Sequence, residues 1–433
     1  MSQKIIDFTK KYNYILIILL GIILRLAWII AMPTYPETDF MWYHVKGVEL
    51  SKGMGFLNGI YPYYRGTPGI YTAFRPIGYP GTLAVLYFIF GTGFNDFLVG
   101  KLFNVVLSTL IMFLTYKLAK QFFNEKIALI TLILYAFSPL AIAYNSIHCS
   151  EILFSAVLML SVYLFFNKNN PIIIGLLIGY LTLIRPIGMF IPLIFAFFMF
   201  IKKDLKLKNK IAYIVSFAIA VGVVVAPWLI RNYIRFGEPV FSTNGGYVIY
   251  VNNNDYATGS WSDPYKYPNS PFLKYKTDTG FDEMAIHKLG KELAYKWIME
   301  NPGRFIKLAF KRIANSYFLK TDDIMWAMTI DVNTWHPLTY KAVFLERILY
   351  IPFYLIVFAF IIYALYRFIR QRKTDFITFI LFIFAYFNAM MFVLEGNSRY
   401  VFPLHPIYTI GVAFIIFEVL KKLFPNKIKD IET

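Results

Sequence analysis

Long runs of apolar residues constrain this 433-residue chain more than any other feature. Several of them approach the about 20 residues that an α-helix needs to cross roughly 30 Å of hydrocarbon. Hydrophobic residues make up 58% of the whole chain, which agrees with this interpretation. The pattern therefore predicts an all-α polytopic membrane protein.

Ten segments are predicted to span the membrane. They are residues 13–32, 97–116, 127–145, 151–166, 171–184, 187–201, 211–230, 343–364, 376–394 and 402–420. The segments 171–184 and 187–201 are short, and both are counted because lysine-rich loops flank them. Residues 78–91 would reach only ~21 Å as a helix, so an interfacial or re-entrant helix is expected there.

Basic residues between the spans predict the direction in which each span crosses. Clusters within 117–126, 202–210, 367–373 and 421–429 should face the cytoplasm, which also places both termini there. The formal net charge of +18 has the same explanation, so membrane lipids are expected partners and nucleic acid is not. One cysteine, Cys149, excludes an intramolecular disulfide.

The spans and loops predict three parts. Residues 1–232 form a transmembrane module that includes an external loop at 33–77. Residues 233–341 form a large external region, and residues 342–433 form the C-terminal spans. The external region should contain two amphipathic helices, the first capped by Asp282, that lie along the membrane surface or cover a site.

Several short strings follow one another in an order that is typical of one enzyme class. They are Leu24-Arg25-Leu26, Asp39 with Tyr43, Phe74-Arg75-Pro76-Ile77-Gly78-Tyr79-Pro80, Glu151 at the start of a span, Leu183-Ile184-Arg185-Pro186, Ala226-Pro227-Trp228-Leu229-Ile230-Arg231-Asn232 and Arg399-Tyr400-Val401-Phe402-Pro403. In these strings the chain resembles the C-type (GT-C) membrane glycosyltransferases that use polyprenyl-phosphate sugars, a group related to protein O-mannosyltransferases and to the bacterial aminoarabinose transferase of lipid A. The likeness covers about residues 15–255. It implies a GT-C-like helix bundle with juxtamembrane helices and a large external loop.

The chain also departs from the aminoarabinose transferase. Phe40 and Trp42 stand where that enzyme has an acidic residue and an arginine, and Arg75 stands where it has a lysine. The resemblance therefore carries the reaction type across, but neither the donor head group nor the acceptor.

The resemblance implies transfer of a sugar from a polyprenyl-phosphate donor to a protein, lipid or glycan of the cell envelope, at the external face of the inner membrane. By analogy with glycosidases, one carboxylate that acts opposite the leaving group predicts inversion at the anomeric carbon. The resemblance also implies that Asp39 is the base for the acceptor hydroxyl. The departing phosphate needs cations rather than a general acid. Arg75 is the first candidate because a guanidinium can bind two phosphate oxygens at once. The further candidates for the donor phosphate, each with membrane-interface anchoring as the alternative, are Arg185, Arg231 and Arg399.

Glu151 has three possible roles: it positions the acceptor, it shares a divalent metal with Asp39, or it only caps the N-terminus of its helix. No cofactor is required by the resemblance, and a metal is left open. The candidate contacts to substrate, each with a plain loop, interface or turn alternative, are Tyr43, Arg65, His148 and Asn252.

A transporter or flippase of lipid-linked sugars is the alternative function. Such a protein would place charged residues at the membrane midplane on broken helices, and it often shows an inverted repeat. Here the candidate acids lie in external loops. A structural scaffold would leave Asp39, Arg75 and Glu151 on one side of the membrane without an explanation.

Overall fold

The structure is a computed structural model. It describes residues 3–57, 71–92, 97–168, 170–202, 206–277, 280–319 and 323–425. The described chain is helical almost throughout, as predicted. Its α-helices are α1 Gln3–Ala31, α2 Thr38–Ser51, α3 Gly78–Phe90, α4 Leu98–Phe122, α5 Glu125–Ala136, α6 Pro139–Ala143, α7 Ser150–Asn167, α8 Pro171–Ile184, α9 Ile191–Phe200, α10 Leu207–Phe236, α11 Asn244–Asn252, α12 Glu283–Glu300, α13 Pro302–Ala314, α14 Ile324–Ala327, α15 Thr339–Gln371, α16 Phe376–Val393 and α17 His405–Leu423.

Short elements connect these helices. The 3-10 turns are Tyr144–Ser146, Pro186–Gly188, Pro264–Lys266, Leu273–Tyr275, Ser398–Tyr400 and Phe402–Leu404, and Asn315–Leu319 is one π-helical turn. Two antiparallel pairs lie in the external region: β1 Lys276–Thr277 with β2 Gly280–Phe281, and β3 Thr329–Asp331 with β4 Thr334–Trp335.

Among the described residues, seven helices are long and apolar enough to cross a membrane. They are Asn13–Ala31, Leu98–Phe122, Ser150–Asn167, Leu207–Phe236, Thr339–Gln371, Phe376–Val393 and Ser398–Leu423. An eighth span would form if α5 and the segment Pro139–Ser146, which meet at a bend of 55°, cross together. The chain is thus a multi-pass membrane protein.

The sequence predicts about ten spans, whereas the described residues contain seven, or eight if the bent pair crosses as one. The predicted span 127–145 is broken before Pro139, which has no backbone N–H to continue the preceding helix. The predicted spans 171–184 and 187–201 are helices of 14 and 10 residues separated by a 3-10 turn, and each is shorter than a span. Helix α3 has 13 residues, which agrees with the short helix expected at 78–91.

Arg25 is fully buried although it lies within the first span. Its Nη1 donates to the carbonyl oxygens of Gly21 at 3.0 Å and Ala136 at 2.9 Å, and its Nη2 donates to that of Tyr135 at 3.3 Å. The last two carbonyls are at the C-terminal end of α5, where no further helical turn can satisfy them. Arg25 therefore replaces the hydrogen bonds that the helix break removes.

One close backbone contact sets the position of the candidate site. At Gly78, the first residue of α3, an added Cβ would lie 2.5 Å from the backbone carbonyl carbon of Leu183 near the end of α8. Only glycine permits this approach. It brings Arg75, three residues before α3, towards Arg185, which directly follows α8.

The external region is attached to the end of α16. Arg312 of α13 is fully buried, and its Nη1 donates to the carbonyl of Phe392 at 2.6 Å while its Nη2 donates to Asn253 Oδ1 at 2.8 Å. Asn253 Nδ2 in turn donates to the carbonyl of Val393 at 3.0 Å. As predicted, Asp282 caps the first amphipathic helix, accepting from the N–H groups of residues 284 and 285.

Candidate active site

Two carboxylates lie at helix N-termini on the same end of the bundle. Asp39 is in the first turn of α2, and Glu151 is in the first turn of α7. The unpaired N–H groups and the positive dipole end of a helix favour a negative side chain at such positions. The first turns of α2 and α7 therefore stabilise the negative charge of both carboxylates locally.

Three arginines approach the two acids from breaks between helices. Arg185 follows the last residue of α8 and precedes Pro186, which keeps its backbone extended. Arg75 lies in the loop before α3, and Arg399 lies in the 3-10 turn between α16 and α17. None of the three is held by a helix on both sides, so each can turn towards the acids.

The five side chains form one network, which we call the ion cluster. Arg75 Nη2 donates to Asp39 Oδ1, and Arg399 Nη1 donates to Asp39 Oδ2 at 3.1 Å. Arg399 Nε and Arg185 Nη1 both donate to Glu151 Oε1. Arg399 therefore links the two acids. With three guanidinium groups and two carboxylates, the ion cluster carries a net charge of +1 when every group is ionised.

Asp39 is held in its ionised form by this arrangement. Burial alone would raise the pKa of its carboxyl, but Arg75 and Arg399 act in the opposite direction, and the net pKa lies below its ordinary value. Its side chain keeps 26% of its exposure and lines a cavity, so a substrate can reach it.

Glu151 is completely buried and does not line that cavity. One of its oxygens accepts from Arg185 and Arg399, and the other lies 3.4 Å from the Ser150 hydroxyl. Glu151 thus lies outside the cavity wall, where its carboxylate holds Arg185 and Arg399, and the expectation that it positions the acceptor stays a prediction.

The cavity above the ion cluster has a volume of about 430 Å³. Transmembrane and external parts of the chain both contribute to it. Its walls are formed by Thr38, Asp39, Phe74, Arg75, Arg185, Thr243, Asn244, Tyr247, Val248, Trp261, Tyr265, Glu283, Ile286, Trp326, Glu395, Asn397, Arg399 and Tyr400. One side thus presents arginines, while the side built from the external region presents aromatic rings.

Glu395 and Glu283 line the cavity, although neither was among the residues predicted from the sequence. Burial and the nearby charge of Asp39 raise the pKa of Glu395 to about 7. A hydrogen bond of 3.2 Å from the Tyr400 hydroxyl acts in the opposite direction and lowers this pKa. Burial also raises the pKa of Glu283, whose oxygens accept from Thr72 Oγ1 at 2.9 Å and from the N–H of residue 73 at 2.7 Å.

The sequence did contain a signal for Glu395. It is the only acidic residue between Asp375 and Glu418, a stretch that is otherwise rich in apolar and aromatic residues. It also lies only four positions before Arg399, in the same gap between two spans.

Arg231 and Tyr43 lie beside the cavity rather than on it. Arg231 Nη1 donates to the carbonyl of Thr72 at 2.8 Å, and its Nη2 donates to that of Phe56 at 3.0 Å. The structure therefore does not bring Arg231 to the other candidate phosphate ligands, and its donors support a loop instead. Tyr43 is buried, with its ring centroid 5.5 Å from the Arg75 guanidinium, so it supports that arginine from below.

Three further candidates fall elsewhere. His148 is fully buried against the rings of His44 and Phe97, and burial holds its pKa well below the ordinary value, so its imidazole is neutral. Asn252 is buried at the end of α11 and donates to the carbonyl of Val248 at 3.0 Å. Neither lines the cavity, so the structure does not bring either of these predicted substrate contacts to the ion cluster. Arg65 lies outside the described residues.

The ion cluster does not provide a metal site in this arrangement. Asp39 and Glu151 both face Arg399, so a guanidinium lies between the two carboxylates that a shared metal would need. In the part of the chain that the structure describes, there is no group of three or more His, Cys, Asp or Glu side chains that is suited to hold an ion.

Comparison with known proteins identifies the family to which the central part of the chain is similar. Residues 75–230 match the family model of dolichyl-phosphate-mannose-protein mannosyltransferases. This match contains Arg75, Glu151 and Arg185. No curated protein matches the sequence significantly.

Solved structures show the same fold at low sequence identity. The archaeal oligosaccharyltransferase AglB from Archaeoglobus fulgidus, in complex with an inhibitory peptide and a dolichol-phosphate, matches with a TM-score of 0.54 and 15% identity, over 98% of this chain and 52% of that chain. The same oligosaccharyltransferase in complex with Zn and sulfate matches with a TM-score of 0.54 and 16% identity, over 94% of this chain and 49% of that chain. This chain thus spans about half the length of the oligosaccharyltransferase.

ArnT from Cupriavidus metallidurans gives a weaker match, with a TM-score of 0.44 and 11% identity over 94% of this chain and 77% of that chain. The family match and the oligosaccharyltransferase fold together confirm the resemblance to GT-C membrane glycosyltransferases that the sequence predicts.

Proposed function

We propose that this protein is an inverting glycosyltransferase that moves one sugar from a polyprenyl-phosphate donor to a hydroxyl of a cell-envelope protein, lipid or glycan. The observation that carries the proposal is the ion cluster, in which Arg75 and Arg399 both contact Asp39 at the edge of one cavity. An accessible carboxylate beside two guanidinium groups provides both a base and an anion site.

The arginines are assigned to the donor. Arg75, Arg185 and Arg399 all line the cavity, and guanidinium groups bind phosphate oxygens in pairs. Bound there, the donor phosphate would compete with Asp39 for Arg75 and Arg399. The departing phosphate would keep its negative charge stabilised through the reaction, so no general acid is needed.

Asp39 is assigned to the acceptor. Once the donor phosphate engages the arginines, a carboxylate oxygen of Asp39 is released to accept the hydrogen bond of the acceptor hydroxyl and draw away its proton. Direct attack of the hydroxyl oxygen on the anomeric carbon, opposite the departing phosphate, inverts that carbon.

The proposed orientation follows from the basic loops. Lysine and arginine residues at 117–126, 202–210, 367–373 and 421–429 support cytoplasmic ends there, and the ion cluster then faces outward. We place the protein in the inner membrane with both termini in the cytoplasm. A polyprenyl carrier would present its sugar at this external surface.

The alternative of a transporter gains no support from Arg25, which is buried within the first span. Arg25 donates to three backbone carbonyls at a helix break, so its burial is explained by the fold. The charged groups of the ion cluster gather at one end of the bundle, beside a cavity that the external region also lines.

The test is a transfer assay with the purified protein in lipid nanodiscs. Polyprenyl-phosphate donors that carry radiolabelled sugars are incubated with fractionated envelope acceptors, and the anomer of the product is determined by NMR. We expect the label to move to an acceptor with inversion. Label that stays on its carrier but crosses the bilayer of a proteoliposome would support the transporter instead.

A further inference from the structure

Glu395 and Glu283 both line the cavity without a role in the proposed route, and Glu395 is the one whose pKa is influenced by the charge of Asp39. It lies between α16 and the 3-10 turn that holds Arg399, and it is 7% exposed. It lines the same cavity as Asp39. Asp39 and Glu395 therefore face the same space, and the charge of Asp39 acts on Glu395.

The backbone around Glu395 is fixed by the external region. At Gly396, an added Cβ would lie 2.4 Å from Arg312 Cα and 2.6 Å from the carbonyl oxygen of Gly259. Asn253 and Arg312 hold the carbonyls of the two residues that end α16. The turn is therefore clamped on both sides, and Glu395 is presented to the cavity from a rigid support.

Four groups face the Glu395 carboxylate. The Tyr400 hydroxyl donates to it at 3.2 Å, and the backbone N–H of Trp261 in the external region also hydrogen-bonds it. Asp39 from α2 and Arg399 from the following turn act on it through their charges, in opposite directions. Burial together with the Asp39 charge favours the protonated form, whereas the other three groups favour the ionised form.

The two acids have been placed in contrasting environments. Asp39 accepts from two arginines, which favours its ionised form. A proton that reaches Asp39 from the acceptor would therefore be held weakly and must move on. Glu395 is a carboxylate of the same cavity that can hold a proton near neutral pH, because burial and Asp39 raise its pKa to about 7. Acids whose environments separate their pKa values commonly divide the proton-transfer roles of a reaction.

We propose that Glu395 receives the acceptor's proton from Asp39, directly or through one water, and releases it to solvent after transfer. In this step the acceptor O–H bond breaks, and its electron pair forms the bond to the anomeric carbon. The bond from that carbon to the phosphate oxygen breaks, and its electron pair leaves with the phosphate. The proton ends on the Glu395 carboxylate. This inference rests on the proposed glycosyltransferase function.

The test compares Glu395→Gln with Glu395→Asp and Tyr400→Phe in the nanodisc transfer assay across pH 5–9. Wild-type kcat should fall as the pH drops below about 7, because a protonated Glu395 cannot accept a further proton. E395Q should lower kcat by about 10²-fold and abolish this fall, with the donor KM unchanged. E395D, which keeps a carboxylate, should retain the fall and part of the rate.

Tyr400→Phe gives the sharpest readout. It keeps the ring beside Arg185 but removes the hydroxyl that donates to Glu395, so the pKa of Glu395 should rise and the fall in kcat should move to higher pH. A pH profile that is identical in wild type, E395Q and Y400F would overturn the inference. Asp255→Asn, which changes an exposed carboxylate that does not line the cavity, is the matched control.

Infrared difference spectroscopy provides a readout that does not depend on transfer. A protonated carboxyl band that titrates near pH 7 in the wild type should be missing in E395Q and should shift to higher pH in Y400F. A spectrum without such a band would overturn the inference. If the wild type transfers no sugar at any pH, the proposed function fails. If it transfers sugar and E395Q does so equally well, only the role of Glu395 fails.

Discussion

Arg399 Nη1 lies 3.1 Å from Asp39 Oδ2, although 360 positions separate the two residues in the sequence. The same guanidinium donates through Nε to Glu151. One side chain from the C-terminal spans thus fixes two acids from the first half of the chain. The candidate site is complete only when both ends of the protein have assembled.

Asp39→Asn should leave the fold intact and reduce transfer by about 10²–10⁴-fold, the usual contribution of a general base. The amide keeps the volume and can still accept from one arginine, but it cannot take a proton. The measurement is single-turnover transfer in nanodiscs, with Asp255→Asn as the control. Transfer at the wild-type rate would remove Asp39 from the mechanism.

Arg75→Ala should raise the donor KM more than the acceptor KM, because Arg75 is assigned to the donor phosphate. Arg75→Lys should be affected less, since an ammonium keeps the charge but loses the paired hydrogen bonds. Arg235→Ala is a matched control: Arg235 stacks on the Tyr71 ring at 3.7 Å and does not line the cavity. Equal effects on both substrates would argue that another arginine holds the phosphate.

Glu151→Gln should destabilise the protein, because Arg185 and Arg399 would both lose the carboxylate that compensates their charge. Removing one partner from a buried ion pair typically costs about 3–5 kcal/mol. Thermal unfolding in detergent, followed by intrinsic fluorescence, measures the change. An unchanged Tm would show that these arginines do not depend on Glu151.

Arg231→Ala should lower the Tm while leaving the donor KM close to the wild-type value. Its guanidinium holds the carbonyls of Thr72 and Phe56 and does not reach the cavity. A donor KM that rises as much as in Arg75→Ala would restore Arg231 as a phosphate ligand.

Stability should fall as the pH rises from about 5 to 8, partly through Glu395. Folding raises the pKa of this carboxyl from 4.5 to about 7, so the folded protein holds a proton that the unfolded chain has already released. The stability that this protonated, buried carboxyl contributes is therefore fully present below pH 4.5 and is lost as the pH rises to about 7. The Tm of Glu395→Gln should depend less steeply on pH than that of the wild type, and parallel curves would contradict this prediction.

The sequence predicts the convergence of Asp39, Arg75, Glu151, Arg185 and Arg399 because their motifs and their predicted side of the membrane agree. It cannot predict which acid is exposed. Asp39 and Glu151 both begin helices, and only the packing of Arg185 and Arg399 against Glu151 buries one of them. That distinction depends on contacts between distant segments.

The external wall of the cavity could not be predicted from the sequence either. Trp261 and Tyr265 lie in a stretch with short turns and no helical period, so no pattern indicates where their rings point. The break in the predicted span 127–145 was missed for a related reason. At 125–146 the apolar run continues through a bend that only Pro139 marks, and hydropathy alone does not register a break.

The hydrogen bonds of Arg25 to the end of α5 have a consequence for biogenesis. The first helix leaves the ribosome with a guanidinium whose acceptor at Ala136 is made 111 residues later. Until that segment arrives, the cation must remain hydrated or shielded by the insertion machinery. The buried position of Arg25 in the first helix therefore depends on the fifth helix being in place.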